Sequence, residues 1–175
     1  GEIVRGEVDG TDFTVRGVSI PGDGTALAEV VDNDRELFAC DESGTLYHNT
    51  EGKQVWKRRR LAEAPVQAVS FNDANLYEVS EDGTVFEEVS LWGEGSRNPR
   101  SIDCGVASPT EIDTNDRSTI AVVGEQGEIR ISEEGGNFAP VEGDLEETFH
   151  GAEVMDDGTV IAVGDDGVIV EGLPK

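Results

Sequence analysis

Lysine is nearly absent. The 175-residue chain has 13 Lys plus Arg against 38 Asp plus Glu, a net charge of −25, and only Lys53, Lys57 and Lys175 are lysines. Cysteine and histidine are as scarce, with two of each, and there is a single Met. Cys40 and Cys104 share no C-x-x-C spacing, which excludes a thiolate metal or redox site of that type. No apolar run approaches the ~18–20 residues of a membrane span, and there is no secretory h-region. So negative a surface repels duplex phosphates and disfavours an open nucleic-acid groove. No G-x-S-x-G elbow, calcium loop or calcium nonapeptide repeat occurs, so neither a nucleophile nor a dedicated metal site is expected from motif.

What is present is enough apolar material to fold. Val, Ile, Leu and Phe number 44, a quarter of the chain, above the ~20% below which a highly charged chain stays disordered. A single domain, 1–175, is the expectation from length. Acid excess with so little Lys resembles the proteins of salt-accumulating halophilic archaea and their viruses. At molar salt the Debye length is ~3 Å, so dense carboxylates repel one another weakly. Cys40, in the apolar stretch Leu37 to Cys40, reads as a small buried hydrophobe. A bond between Cys40 and Cys104 is left open.

Internal repeats organise the chain. LFACDESGTLYHN from Leu37, LYEVSEDGTVFEE from Leu76, IAVVGEQGEIRIS from Ile120 and VIAVGDDGVIVEG from Val160 share one pattern of apolar stretch, acidic or polar turn, Gly and second stretch. Their turn glycines are Gly44, Gly83, Gly127 and Gly167, and Gly supplies the positive φ such hairpins need. A strand-like piece precedes each hairpin (Ala28 to Val31, Val66 to Phe71, Glu111 to Asp113, Ala152 to Met155). A less regular one follows three of them (Gln54 to Lys57, Val89 to Trp92, Phe138 to Val141). No sustained 3.6-residue period occurs, so the class is all-β.

Units of about 42 residues with three to four antiparallel strands match blades of a β-propeller. The predicted units are 25–65, 66–109, 110–148, and 149–175 with 1–24. Ile120 to Ile129 followed by Ser132-Glu133-Glu134-Gly135-Gly136-Asn137-Phe138 resembles the Asp-box and photosystem-assembly-factor type of propeller. Asn49 to Trp56 is a weaker copy. Glu stands in for the box Asp, Phe138 comes one position early, and Lys53 replaces a turn Gly. The resemblance implies about four blades and a box turn that is structural and carries no chemistry. Gly1 to Gly6 reads as a fifth copy of the post-turn strand. Asp12 to Ile20 is then expected to supply the outer strand of the last blade, closing the ring and removing free strand edges. A fragment, or an open unit closed by oligomerising, is the alternative.

Chemistry-bearing residues are few. His48, after Tyr47, reads as a surface imidazole, and His150 begins an inner strand lining the central channel. Sialidase-like propellers use an arginine triad and a Tyr nucleophile, but the arginines here are scattered and Tyr47 and Tyr77 sit in no site pattern. Weak cation condensation on Asp156, Asp157, Asp165 and Asp166 needs no specific site. One feature opposes the global charge. Lys57-Arg58-Arg59-Arg60 concentrates basic residues after Trp56, with Trp56, Arg58 and Arg60 on one strand face and Lys57 and Arg59 on the other. It is a candidate docking patch for an acidic protein partner, or a neutraliser of acidic loops in adjacent units. Trp92, flanked by Arg97 and Arg100 in an irregular loop, is an interface anchor or a cap between blades. The expectation is a non-catalytic interaction or structural module of a halophile or its virus, a subunit of a larger assembly. No cofactor and no catalytic residue is assigned, and homo-oligomers are allowed. The location is left open, with the cytoplasm of a high-salt organism and a virion surface as the two candidates. A carbohydrate-binding or sialidase-like glycosidase is the alternative function.

Overall fold

In the computed structural model the described residues are 3–9, 12–19, 27–32, 36–41, 43–50, 56–60, 64–72, 75–89, 100–143 and 145–172. They form seventeen strands and one short 3-10 turn, with every strand pairing antiparallel. The first sheet holds β3 (Leu27–Asp32), β4 (Glu36–Asp41), β5 (Thr45–Thr50) and β6 (Lys57–Arg60), paired in chain order. The second holds β7 (Val66–Phe71), β8 (Asn75–Ser80), β9 (Thr84–Val89) and β10 (Arg100–Asp103). The third holds β11 (Pro109–Thr114), β12 (Ile120–Gly124), β13 (Ile129–Ser132) and β14 (Ala139–Pro140). The fourth holds β15 (Phe149–Val154), β16 (Val160–Gly164) and β17 (Ile169–Gly172). The first strands of successive sheets, β3, β7, β11 and β15, are neighbours in space, so the sheets stack in sequence around them. The fold is all-β and β-propeller-like.

The hairpins form where the glycines predict. Gly44, Gly83, Gly127 and Gly167 have φ of 79, 80, 74 and 76°. In the third and fourth sheets the residue before the Gly is also left-handed (Gln126 57°, Asp166 56°), the two-residue turn whose twist suits paired strands. In the first sheet the turn is fastened by Asp41. Its Oδ1 accepts from Ser43 N (2.9 Å), Ser43 Oγ (2.6 Å) and Thr45 N (3.1 Å), and its Oδ2 from Tyr47 OH (2.7 Å). Burial alone would push this carboxyl up, but the bonds from Ser43, Tyr47 and Thr45 outweigh it and hold its pKa below the ordinary value. A depressed carboxylate stabilises the fold above its unfolded pKa of ~3.9, and that stability is lost as pH falls through the folded pKa. Asp41→Asn is therefore expected to cost about 2 kcal/mol at pH 7. The difference from wild type should shrink as pH falls below the unfolded pKa of ~3.9 and through the lower folded one, as read by urea melts against pH.

Packing between sheets follows strand alternation. Ala68, Tyr77, Val79 and Val85 of the second sheet meet Ile112, Ile120 and Val122 of the third in the largest buried cluster, which also takes in Cys104. Cys40 lies in a separate cluster with Val66 and Val69. Both cysteines are buried and no disulfide joins them, and burial pushes the Cys104 thiol up.

Two expectations change. The fourth strand of the second sheet is β10, not Val89 to Trp92, because Val89 still pairs with Asn75 at the end of β9. The longer connection therefore precedes the outer strand. The two N-terminal strands, β1 (Ile3–Asp9) and β2 (Asp12–Ser19), pair with each other from Ile3↔Ser19 to Asp9↔Asp12 as a separate sheet. They do not join the fourth sheet, which has three strands among the described residues. Strands separated by so few residues pair at a small loop-closure cost.

Candidate functional site

The basic run forms the outer edge of the first sheet. In β6, Lys57 lies opposite His48, Arg58 opposite Tyr47, Arg59 opposite Leu46 and Arg60 opposite Thr45. Directly opposed residues share a sheet face. Leu46 packs with Phe38, Leu76 and Phe71, so the Lys57 and Arg59 positions lie on the face turned to the second sheet. The Arg58 and Arg60 positions share the other face with Tyr47, on which Trp56 packs. Lys57, Arg58 and Arg60 are exposed. On the second sheet, Glu88 pairs with Leu76 and lies two residues from Phe86, the partner of Glu78. Both carboxylates are buried and share the Leu76 face. Buried acid thus lies on the surface facing the Lys57 side of the strand, and Asp41, bonded to Tyr47, lies on the Arg58 side.

Arg100 has a different job. Its Nη1 donates to the Gly135 carbonyl (2.8 Å) and lies 3.5 Å from Glu87 Oε2. Glu87 Oε1 in turn accepts from Asn75 Nδ2 (3.2 Å) and Tyr77 OH (3.3 Å). The guanidinium on β10 therefore ties the second sheet to the Ser132 to Phe138 turn of the third. Trp92 and Arg97 lie outside the described residues, as does the side chain of Arg59.

The other chemistry-bearing residues do not converge. His48 is buried and stacks on Phe38, ring centroids 4.8 Å apart at 12°. This corrects the surface reading: its opposite number is Phe38, on the face covered by the second sheet. Both tyrosines of the chain are buried, Tyr47 bonded to Asp41 and Tyr77 between sheets. Burial raises the Tyr77 pKa, with the nearby Glu87 adding to it. His150 Nε2 lies 2.7 Å from Asp165 Oδ1, both side chains well exposed. Asp156, Asp157, Asp165 and Asp166 are exposed in turns. Among the described residues no group of three His, Cys, Asp or Glu is arranged to hold a metal ion.

Polar residues that do converge link the inner strands. Asp113 accepts from Ser70 Oγ of β7 (2.9 Å) and from Val154 N of β15 (2.7 Å), so one carboxylate spans three sheets. Asn72 Nδ2 donates to the Asn115 carbonyl (3.3 Å), and Asn115 Nδ2 to the Met155 carbonyl (2.9 Å). These three residues end their inner strands at equivalent places, each closing the next loop through its own N–H. The asparagines form a clasp from the second sheet to the third and from the third to the fourth. The recurrence of asparagine at one repeat position, Asn72 and Asn115, was the signal the sequence offered for them.

No family model and no curated protein matches the chain. Among solved structures it is similar to YCF48 from Cyanidioschyzon merolae, with a TM-score of 0.76 and 12% identity over 94% of this chain and 61% of that one. It is also similar to the computationally designed Ika4 protein, with a TM-score of 0.70 and 15% identity over 90% of this chain and 96% of that one. The chain thus spans about three-fifths of the YCF48 chain. At such identities the likeness is one of architecture, and it agrees with the sheet order: this is a β-propeller-like fold.

Proposed function

We propose that the chain is a non-catalytic protein-interaction module of a high-salt organism or its virus, working as a subunit of a larger assembly. The observation that carries this reading is the placement of Lys57, Arg58 and Arg60, exposed on the outermost strand of the first sheet, in a chain otherwise rich in acid. Guanidinium groups at an exposed edge offer bidentate recognition to carboxylates of an acidic partner. Basic residues on an edge strand also prevent sheet-to-sheet pairing, and the two roles are compatible. The sialidase-like alternative has less support, because both tyrosines are buried between strands and sheets.

Two measurements test the proposal. In pull-downs from a high-salt lysate, an Arg58→Ser/Arg60→Ser variant should bind its partner at least about tenfold more weakly, equivalent to about 1.4 kcal/mol, with its thermal melt unchanged. Equal recovery by variant and wild type rejects the β6 surface. The salt component is separate. Raising KCl from about 0.1 to 2 M shortens the Debye length several-fold, and the melting midpoint should climb by about 10 °C, or about 3 kcal/mol. A flat profile rejects the high-salt origin.

A further inference from the structure

The fourth sheet presents to solvent the face that the first three sheets bury. Four residues before and two after each turn glycine sits a directly opposed pair: Cys40↔Leu46, Val79↔Val85, Val123↔Ile129 and Val163↔Ile169. In the first three sheets both members are 0–4% exposed. Each pair is sealed by the sheet that follows: Val66, Val69, Leu76 and Phe71 in the first case, Ile112, Ile120 and Val122 in the second, Phe149 and Ala162 in the third. In the fourth, Val163 is 43% and Ile169 71% exposed. Met155, 44% exposed, stands where Asn72 and Asn115 make their forward clasp. The last sheet thus has an apolar face and no amide to reach a successor.

The N-terminal sheet is the complementary oddity. A lone two-stranded hairpin is marginal in water, yet β1 and β2 pair only with each other among the described strands. Ile3, Val4, Val8, Phe13, Val15 and Val18 fall on these two strands, and Val15 is 54% exposed. The hairpin also carries Arg5 and Arg16, whereas the uncovered face is rimmed by exposed Glu153 and Glu171. Burial and the nearby Asp113 already push the Glu153 carboxyl up.

We propose that the Val163/Ile169 face binds the β1–β2 sheet of a second copy of this chain, head to tail. The contact continues the stacking of sheets within the chain, with an apolar seam replacing the Asn clasp. It rests on the interaction-module reading only in placing protein against protein, and it uses no residue of β6. Being heterologous, it gives a closed ring if the rotation closes and longer assemblies if not.

Sedimentation velocity in about 2 M KCl, where carboxylate repulsion is screened, tests it. Wild type should sediment as two or more chains. Ile169→Lys and, separately, Val15→Lys should each weaken association at least about tenfold while keeping the wild-type circular dichroism spectrum. Milder Ile169→Ser covers the case in which the Lys variant misfolds. Mixing the two monomeric variants should restore a dimer and nothing larger, because each retains the end the other lost. A monomeric wild type, undiminished association of Ile169→Lys, or a mixture that stays monomeric overturns the proposal. A monomer that melts lower with Ile169→Lys would indicate closure within one chain and also overturns it. The Arg58→Ser/Arg60→Ser variant should self-associate like wild type, so loss of partner binding and loss of self-association are read apart.

Discussion

Gly127→Ala is expected to lose about 4 kcal/mol of stability, whereas Gly167→Ala at the same repeat position loses only about 1 kcal/mol. Both glycines are left-handed, at φ 74 and 76°, and a Cβ in that region costs about 1–2 kcal/mol. That cost is common to the two. The surroundings differ. A Cβ on Gly127 would lie 1.9 Å from the Leu145 carbonyl oxygen and 2.3 Å from its carbon, while at Gly167 nothing lies within 4 Å. The connection leading into the fourth sheet crosses the Gly127 turn, and Gly127 N donates to the Glu147 carbonyl at 2.8 Å. Backbone cannot swing aside as a flexible side chain can, so the turn or the connection must move. Gly83 is a second instance, with the Val106 carbonyl oxygen 2.4 Å from the added atom. Urea titrations in high salt with equal slopes measure all three. Equal losses at Gly127 and Gly167 would mean that turn conformation, not the close approach, sets the cost.

Asn115→Ala is expected to cost about 3 kcal/mol, from three hydrogen bonds removed at a buried site. Its Oδ1 accepts from Arg117 N and Thr119 N, both at 3.0 Å, and its Nδ2 reaches the Met155 carbonyl. The first two shape the loop between β11 and β12; the third ties the third sheet to the fourth. Asn115→Asp separates them. A carboxylate still accepts from Arg117 and Thr119 but meets the Met155 carbonyl with a second acceptor. It should lose about 2 kcal/mol at pH 7 and recover part of that as the carboxyl protonates. Hydrogen exchange at Thr119 should stay near wild type in Asn115→Asp and rise in Asn115→Ala. An Asn115→Asp variant as stable as wild type at pH 7 would show that the clasp contributes nothing.

The repeat was legible because its signals are local. Glycine after an acidic or polar residue, between β-branched runs, fixed where the hairpins turn, and the strands beside them follow by pairing. The outer strand β10 was less legible, since its pairing depends on what the chain does in between, whereas β14 falls within the predicted Phe138 to Val141. Arg100 read as part of a docking loop because nothing in its neighbourhood announces the Gly135 carbonyl, which lies in another sheet. His48 read as surface because a lone polar residue on a strand usually faces water; its burial depends on a face covered by residues far along the chain. The same limit hid Asp113, whose partners are Ser70 and Val154. The composition also gave no hint that Val163 and Ile169 differ from their counterparts. They are as apolar as Val123 and Ile129, and what sets them apart is that no described sheet covers them.

The forward reach of each asparagine has a mechanical meaning. From the second sheet on, the sheets overlap like roof tiles, each held down by the one laid after it, through the Asn72 and Asn115 amides and the connections crossing Gly83 and Gly127. Such an array has nearest-neighbour energetics and a built-in polarity. Lifting the last tile uncovers only its predecessor, so loosening is expected to spread from the fourth sheet toward the first. The boundary between the second and third sheets, seat of the largest buried cluster, is where that spread should stall.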